Sequence, residues 1–416
     1  MMLPVLHVSA LQAVIGIGVL ASIWYYLTVL YSAREFFRWA DGQRAGAAAA
    51  PQPGVSVLKP LKGLDVNLYE NLATFCRQDY RGAFQVVFGV ADAGDSAIAV
   101  VRQLQRDFSS LDIELVIDPR VYGTNYKVSN LHNMYARARH DVLVIADSDI
   151  RVPPDYLCRV VAPLHDPAVG VVSCLYKAVR QGGLPTLVES LFISTDFDTN
   201  VMAARKVEKP SYAFGATMAL RRETLDAIGG FLAIRNYLAD DYYLGYLVAQ
   251  RGLKLVLSDL VVETVLDVGP WAHLFQHQVR WARTYRTVRP GGYFGSVFTQ
   301  GTMWAVFTML YYGFSPTSVA IAATVIGLRL WCASAMCFRY LHTDNTPLHM
   351  LLVLPKDLFV SAVWLISFLG NTVRWSGHDF RVLRGGEMVH VTAPATTSAW
   401  QQPALAEPTS SAPDSL

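Results

Sequence analysis

Charge is scarce in this chain. Only 16% of its residues are charged, well below the quarter usual in soluble domains, while 52% are hydrophobic. That balance fits a membrane protein carrying a water-facing domain better than a wholly soluble globule. Neither sign dominates. The formal net charge is +2, so bulk charge points to no nucleic-acid partner. Cysteine is sparse as well. The five residues Cys76, Cys158, Cys174, Cys332 and Cys337 are odd in number and form no C-x-x-C pair. A disulfide framework or structural zinc site is disfavoured, and reduced, buried thiols are expected. There is no GxxxxGK[ST], HExxH or GxSxG motif. Their absence argues against a P-loop NTPase, a zincin protease and an α/β-hydrolase. The histidines show no metal-ligand spacing, and no internal repeat is visible.

What is present begins with long apolar runs. Ser9 to Ala33 carries no charge and, at roughly 25 residues, is long enough to span a bilayer. It is too long for a signal-peptide core and reads as an anchor. Arg34, Arg38 and Arg44 follow it, so the positive-inside rule puts the next segment in the cytoplasm. The expected arrangement is therefore a multi-pass membrane protein with the main domain facing the cytoplasm. GQRAGAAAAPQPG makes residues 34–54 a linker. Past Pro290, Phe294 to Phe314 and Thr317 to Tyr340 read as spans, although Arg329 lies in the second. Met350 to Val373 is a weaker span, interrupted by Pro355, Lys356 and Asp357, so residues 294–373 hold two or three spans. Composition predicts disorder from about residue 389 within a C-terminal segment 374–416.

Between these ends, residues 55–265 alternate short apolar runs with helix-like stretches. VSVL, FQVVFGVAD, IELVID, VLVIAD and VGVVSCLY read as buried strands. Ser96 to Phe108 and Lys127 to Arg139 read as helices between them. The alternation predicts an α/β domain with a mainly parallel sheet covered on both faces. Ligands then bind at the carboxyl ends of the strands.

Four spots carry chemistry. In VLVIADSDI an apolar strand ends in Asp147 and Asp149. Side chains at i and i+2 of an extended chain project together, which makes a hard oxygen site for Mg²⁺ or Mn²⁺. A bare D-x-D arises by chance about once in a chain this long, and capping the next helix is its plainer reading. Its place at a strand's carboxyl end favours a ligand site. FQVVFGVAD likewise ends in an acid, Asp92, for which an ordinary turn aspartate is the alternative. Asp240 and Asp241 open the helix-like NYLADDYYLGYLVAQRG. One could serve as N-cap, and a carboxylate near a substrate hydroxyl can act as general base. In HQVRWARTYRTVR, Arg280, Arg283, Arg286 and Arg289 recur every third residue with Trp281 and Tyr285 between them. Residues 266–293 then form basic interfacial helices against anionic lipid, with Arg280 held for phosphate.

Taken in order, VSVLKPLKGLDVNLYENL, NYKVSNL, DSDIRVPPDYL, LADDYY and FRVLRGG resemble segments of the ceramide glucosyltransferase family, glycosyltransferase family 21, over roughly Val55 to Gly386. The resemblance implies a GT-A nucleotide-sugar domain with N- and C-terminal transmembrane helices. It implies contact of Asp92 with uridine, and Asp147 and Asp149 at the metal and diphosphate. Lys127 falls near the nucleotide, Asp240 among the substrate-binding residues, and Asp241 at the general base. Arg280 and Trp281 match the end of the family's Q/R-x-x-R-W motif, whose first position is here His277, a departure that leaves its role open. TDFDTNVMAARKVEKPSYAFGATMALRRE is closer to a bacterial, hopanoid-biosynthesis-associated branch. That branch implies a UDP-N-acetylglucosamine donor and a hopanoid polyol acceptor, with ceramide next. The expected reaction is inverting transfer of a hexose from a UDP-sugar to a lipid hydroxyl, at the membrane, with no nucleic acid involved. A processive polysaccharide synthase shares the same acidic logic but needs more spans. A transporter or scaffold would use Arg329, Lys356 and Asp357 as a polar pathway.

Overall fold

The computed structural model describes residues 9–391. The predicted disorder lies, past Val391, outside the described residues. Eight strands form one sheet: β1 Val55–Pro60, β2 Phe84–Val90, β3 Asp112–Ile117, β4 Val142–Ile145, β5 Ile150–Arg151, β6 Val169–Arg180, β7 Met218–Arg221 and β8 Lys254–Leu266. Their order is β3-β2-β1-β4-β7-β6-β8-β5. β7 and β5 run against their neighbours, and the other pairings are parallel. The expected mainly parallel α/β sheet is thus present.

Its strands are apolar on both faces because both faces are covered. Val57, Val86, Phe88 and Val144 pack into one core cluster. Their neighbours Leu58, Val87, Leu143 and Ile145 pack into another. This is the two-residue alternation of a sheet buried on both sides. In register, Leu58 pairs with Val87 and with Ile145, so β1, β2 and β4 end on one edge. β7 runs the other way, and its first residue, Met218, lies opposite Ile145. The chain entering β7 therefore arrives at that same edge.

The N-terminal helix runs Ala10–Ala49, which corrects the expected linker: residues 34–49 continue the helix, and only the Pro-rich residues after it are extended. Ala and Arg favour helix there, and Pro51 and Pro53 end it. Among the described residues, three helices are long and apolar enough to cross a membrane: Ala10–Gln43, Pro316–Tyr340 and Pro347–Ser367. Phe294 to Phe314 is not one of them. A short helix Pro290–Gly295, a 3-10 turn Ser296–Thr299 and a helix Gly301–Tyr312 replace the expected span. At 12 residues the last is about 18 Å long, well short of a bilayer core. The segment read as weaker is the longer helix. Pro355 sits in its first α-helical turn, where proline is tolerated, and Lys356 and Asp357 are buried in ion pairs.

Residues 372–390 add a three-stranded sheet, β9 Thr372–Trp375, β10 His378–Val382 and β11 Met388–His390. It hooks onto the segment before Asp240, through Leu238 N to Gly386 O at 3.2 Å and Met388 N to Asn236 O at 2.8 Å. All five cysteines are buried and unpaired, as expected.

Candidate active site

The carboxyl edge of the sheet collects the acidic residues. β4 ends at Ile145, and the chain then turns through Ser148 and Asp149. Asp147 and Asp149 therefore converge across a turn and not along an extended strand. Ser148 does not point idly away, since its Oγ hydrogen-bonds Asp65. β8 reaches alongside, and Thr264 Oγ1 donates to Asp149 Oδ2 at 2.8 Å. Burial, then repulsion from Asp147, pushes the Asp149 carboxyl up to about 6.

Lys127 starts the helix Tyr126–Tyr135 and binds two acids together. Its Nζ lies 2.6 Å from Asp147 Oδ1 and 3.3 Å from Asp240 Oδ2. Burial opposes its charge, but Asp147 and Asp240 overcome this and raise its pKa. Asp240 and Asp241 open the helix Asp240–Gln250, yet neither is its N-cap, which is Ala239. Asp241 instead faces the loop before β7. Gly215 N donates to Asp241 Oδ2, and Tyr242 N to Asp241 Oδ1, each at 2.8 Å. A Cβ on Gly215 would lie 3.3 Å from Asp241 Oδ2 and 3.5 Å from Asp147 Oδ2. Glycine lets both carboxylates close on one backbone position. Burial, then repulsion from Asp240, pushes Asp241 up to about 6.

Asp92 stands on the same edge but apart. It is exposed at the end of β2, and its Oδ1 accepts from Gly94 N at 2.8 Å. β2 and β4 flank β1, which sets Asp92 about 10 Å from the cluster across the strands.

The helix Trp271–Val288 forms a further wall. His277, Trp281 and Tyr285 follow one another at i+4, with ring centroids 4.9 and 6.3 Å apart. Burial, then the Asp241 charge, raises the Tyr285 phenol, yet Tyr285 stays 47% exposed, as the wall of an open cleft would. The four arginines separate by role. Arg283 bonds Thr372 O, Arg286 bonds Gly370 O at 2.8 Å, and Arg289 bonds Glu208 at 2.8 Å. The Arg280 guanidinium has no ion pair or hydrogen bond among the described residues. The basic stripe thus holds protein rather than lying free against lipid, and Arg280 alone remains available for an anion.

Several residues here were not legible in the sequence. Lys59 is fully buried, donates to Asp147 O and lies 3.8 Å from the Phe75 ring centroid. Burial lowers its pKa to about 7 against the pull of Asp149 and Asp147. A lysine inside an apolar strand was the available signal. Asp198 is buried with neither carboxylate oxygen hydrogen-bonded among the described residues, and burial drives its pKa well upward. Glu189, 1% exposed in the helix Leu184–Phe192, explains the departure at His277. His277 Nδ1 lies 2.9 Å from Glu189 Oε1, and Gln278 Nε2 donates to Oε2 at 2.8 Å. The carboxylate fixes the helix that carries Arg280. Glu189→Ala is expected to cost about 1–3 kcal/mol, because the buried Gln278 and the half-buried His277 lose their acceptor, and Glu189→Gln less. Thermal unfolding of the detergent-solubilised chain reads this, and an Ala variant as stable as wild type would show that these bonds carry nothing.

Carboxyls outnumber ammonium groups in the cluster, and two of them are pushed upward, first by burial and then by a neighbouring carboxylate. That surplus suits a divalent cation. Among the described residues no three metal-capable side chains close into a ready cage. Asp147 and Asp149 would hold Mg²⁺ or Mn²⁺ with water or diphosphate oxygens completing the shell.

This sheet, with acids gathered at its carboxyl edge and apolar helices at both ends, puts the chain in the class of membrane-associated sugar transferases built on a GT-A domain. It belongs to glycosyltransferase family 21, whose model matches residues 14–388. The chain is 24% identical to ceramide glucosyltransferase 3 of Caenorhabditis elegans over 350 residues, 81% of this chain and 74% of that one. It is 32% identical to the ceramide glucosyltransferase of Pyricularia oryzae over 284 residues, 56% of this chain and 57% of that one. Among solved structures, a mannosyltransferase from Pyrobaculum calidifontis in complex with GDP-Man and Mn²⁺ superposes with a TM-score of 0.47 at 20% identity, over 85% of this chain and 97% of that one.

Proposed function

We propose that the protein transfers a hexose from a UDP-sugar to a hydroxyl of a membrane lipid, with inversion at the anomeric carbon. A hopanoid polyol with UDP-N-acetylglucosamine is the favoured pair, and ceramide with glucose the next. The carrying observation is the approach of Asp147 and Asp241 to one glycine, with Asp149 beside them. An acceptor hydroxyl is a poor nucleophile near neutral pH. Asp241 takes its proton as the oxygen attacks the anomeric carbon, and UDP departs. One displacement without a covalent intermediate inverts configuration. Arg280, the unpaired cation of its helix, meets the charge that grows on the leaving diphosphate. Lys127 keeps Asp147 and Asp240 in place around it. Mg²⁺ or Mn²⁺ on Asp147 and Asp149, when bound, supplies Lewis-acid charge to that diphosphate. Asp92, two strands away on the same edge, contacts the uridine. The three long apolar helices keep this cleft at the bilayer surface, on the cytoplasmic side of a bacterial inner membrane, where a dissolved donor and a lipid acceptor can meet.

The test offers the full chain labelled UDP-glucose and UDP-N-acetylglucosamine, each with ceramide and with a hopanoid polyol. Label is expected in lipid, foremost from UDP-N-acetylglucosamine into the polyol. EDTA should remove the activity, and added Mg²⁺ or Mn²⁺ should restore it. No labelled lipid from any pairing would sink the reading, and activity indifferent to EDTA would remove the metal from it.

A further inference from the structure

A cavity of about 370 Å³ lies between the N-terminal helix, the helix Asp198–Val207 and strands β6 and β8. That volume is within the range of ligand sites, roughly 300–1,000 Å³. Trp39, Val201, Phe214 and Leu257 make its walls mostly apolar. Glu35 and Trp39 lie just past the uncharged run that ends at Ala33, in the helical stretch Ala10–Gln43 that is long and apolar enough to cross a membrane, which would set the cavity near the cytoplasmic surface of a bilayer.

Its polar groups are unevenly satisfied. Glu35 pairs with Lys206, and Glu208 with Arg289. Arg205 also lines the cavity, with its guanidinium 4.7 Å from the Phe36 ring centroid. Its Nη1 is buried and has no hydrogen-bond partner among the described residues. A buried N–H without an acceptor is unfavourable and is normally paired. Here the natural partner is an oxygen brought in by a ligand.

The cavity lies close to the reaction centre. Phe214 lines it, and the next residue, Gly215, donates to Asp241. Tyr212 lines it too, with its ring stacked 5.6 Å from that of Tyr242, the residue after Asp241. One layer of chain separates the cavity from the carboxylate that would deprotonate an acceptor.

We infer that this cavity seats the acceptor lipid, an uncharged amphiphile whose apolar body lies against Trp39, Val201, Phe214 and Leu257 and whose headgroup oxygen accepts from Arg205. Glu35 and Glu208 are each already paired with a cation, Lys206 and Arg289, so Arg205 Nη1 is the donor left to meet a headgroup oxygen. The inference rests on the transferase reading above and specifies where its acceptor binds.

The experiment uses the full chain in nanodiscs, with a fluorescent hopanoid polyol and fluorescent ceramide as the binding probes and UDP-induced thermal stabilisation as a separate readout. Ala204→Trp fills the cavity, and Arg205→Met removes the donor while keeping bulk. Ala204→Trp is expected to weaken probe binding more than about tenfold, and Arg205→Met about tenfold, the size of one lost charge-assisted hydrogen bond. UDP stabilisation should persist in both. Wild-type affinity in both variants overturns the inference, as does wild-type protein that binds no probe saturably. Displacement of the bound probe by phosphatidylglycerol but not by its own unlabelled lipid would assign the cavity to an anionic lipid and also overturn it. If Ala204→Trp fails to fold, Arg205→Met decides. Wild-type protein that UDP does not stabilise counts against the transferase reading, while probe binding still scores the cavity by itself.

Discussion

Asp241→Asn is expected to abolish sugar transfer while leaving UDP binding nearly intact. The loss should reach about 10²–10⁴-fold in turnover, the usual worth of a positioned general base. Asparagine keeps the shape and one carbonyl acceptor, so it can retain the bond from Gly215 N and release Tyr242 N, a first-turn helix N–H, to water. What disappears is the proton acceptor. The pH profile should show the same group. Burial and Asp240 raise the Asp241 carboxyl to about 6. The base works only when ionised, so turnover should be flat above that pH. Below it, turnover should fall about tenfold per unit as the ionised fraction falls. A variant that turns over like wild type, or one that loses UDP affinity while keeping residual turnover, would refute the assignment.

Arg329→Met should damage the fold rather than the chemistry. Arg329 donates to Asp357 at 2.9 and 2.7 Å, to Asp196 at 3.0 Å and to Thr195 O at 2.8 Å. Lys356 lies 2.9 Å from Asp357 and also pairs with Asp196, and Thr302 donates to Asp357 at 2.6 Å. The cluster is electrically balanced, and its charged groups are paired with one another. The cluster engages in its own pairs the three residues, Arg329, Lys356 and Asp357, that a transporter would use as a polar pathway. It ties the helices Gly301–Tyr312, Pro316–Ser334 and Val353–Ser367 to the π-helical turn Ile193–Phe197, whose Phe197 packs 6.3 Å from Trp281. Removing Arg329 leaves the buried Asp357 and the half-buried Asp196 sharing one lysine. The cost should be on the order of 3–5 kcal/mol, read as loss of folded protein on heating in detergent. Adding Asp357→Asn to Arg329→Met should recover part of it, because the surplus negative charge goes too. Unchanged heat resistance in the single variant, or no recovery in the double, would show that the cluster does not bear on stability.

Much of the frame was open to reading in the chain itself. Runs such as VSVL and FQVVFGV read as buried strands of a doubly covered sheet, and β1 and β2 stand where those runs fall. Hydropathy also marked long apolar helices near both ends, because a bilayer demands length and composition, which are local properties. It erred at residues 294–314, where Gly295 and Gly301 divide an apolar stretch into pieces too short to cross. It undervalued Pro347–Ser367, since Lys356 and Asp357 look prohibitive until Arg329 and Asp196 stand beside them.

Tertiary structure alone decided which charges belong together. Arg280, Arg283, Arg286 and Arg289 are equivalent by spacing. Only the placement of β9, the residues before it and Glu208 engages three of them and leaves one. Glu189 was one acid in an apolar helix until folding set it against His277, 88 positions away in the sequence. Gly215 became a meeting point for Asp147 and Asp241 because β7 runs antiparallel to β4. Periodicity and motif spacing describe neighbours along the chain. Pairing, burial and free valence depend on which distant segments share an edge, and strand order sets that.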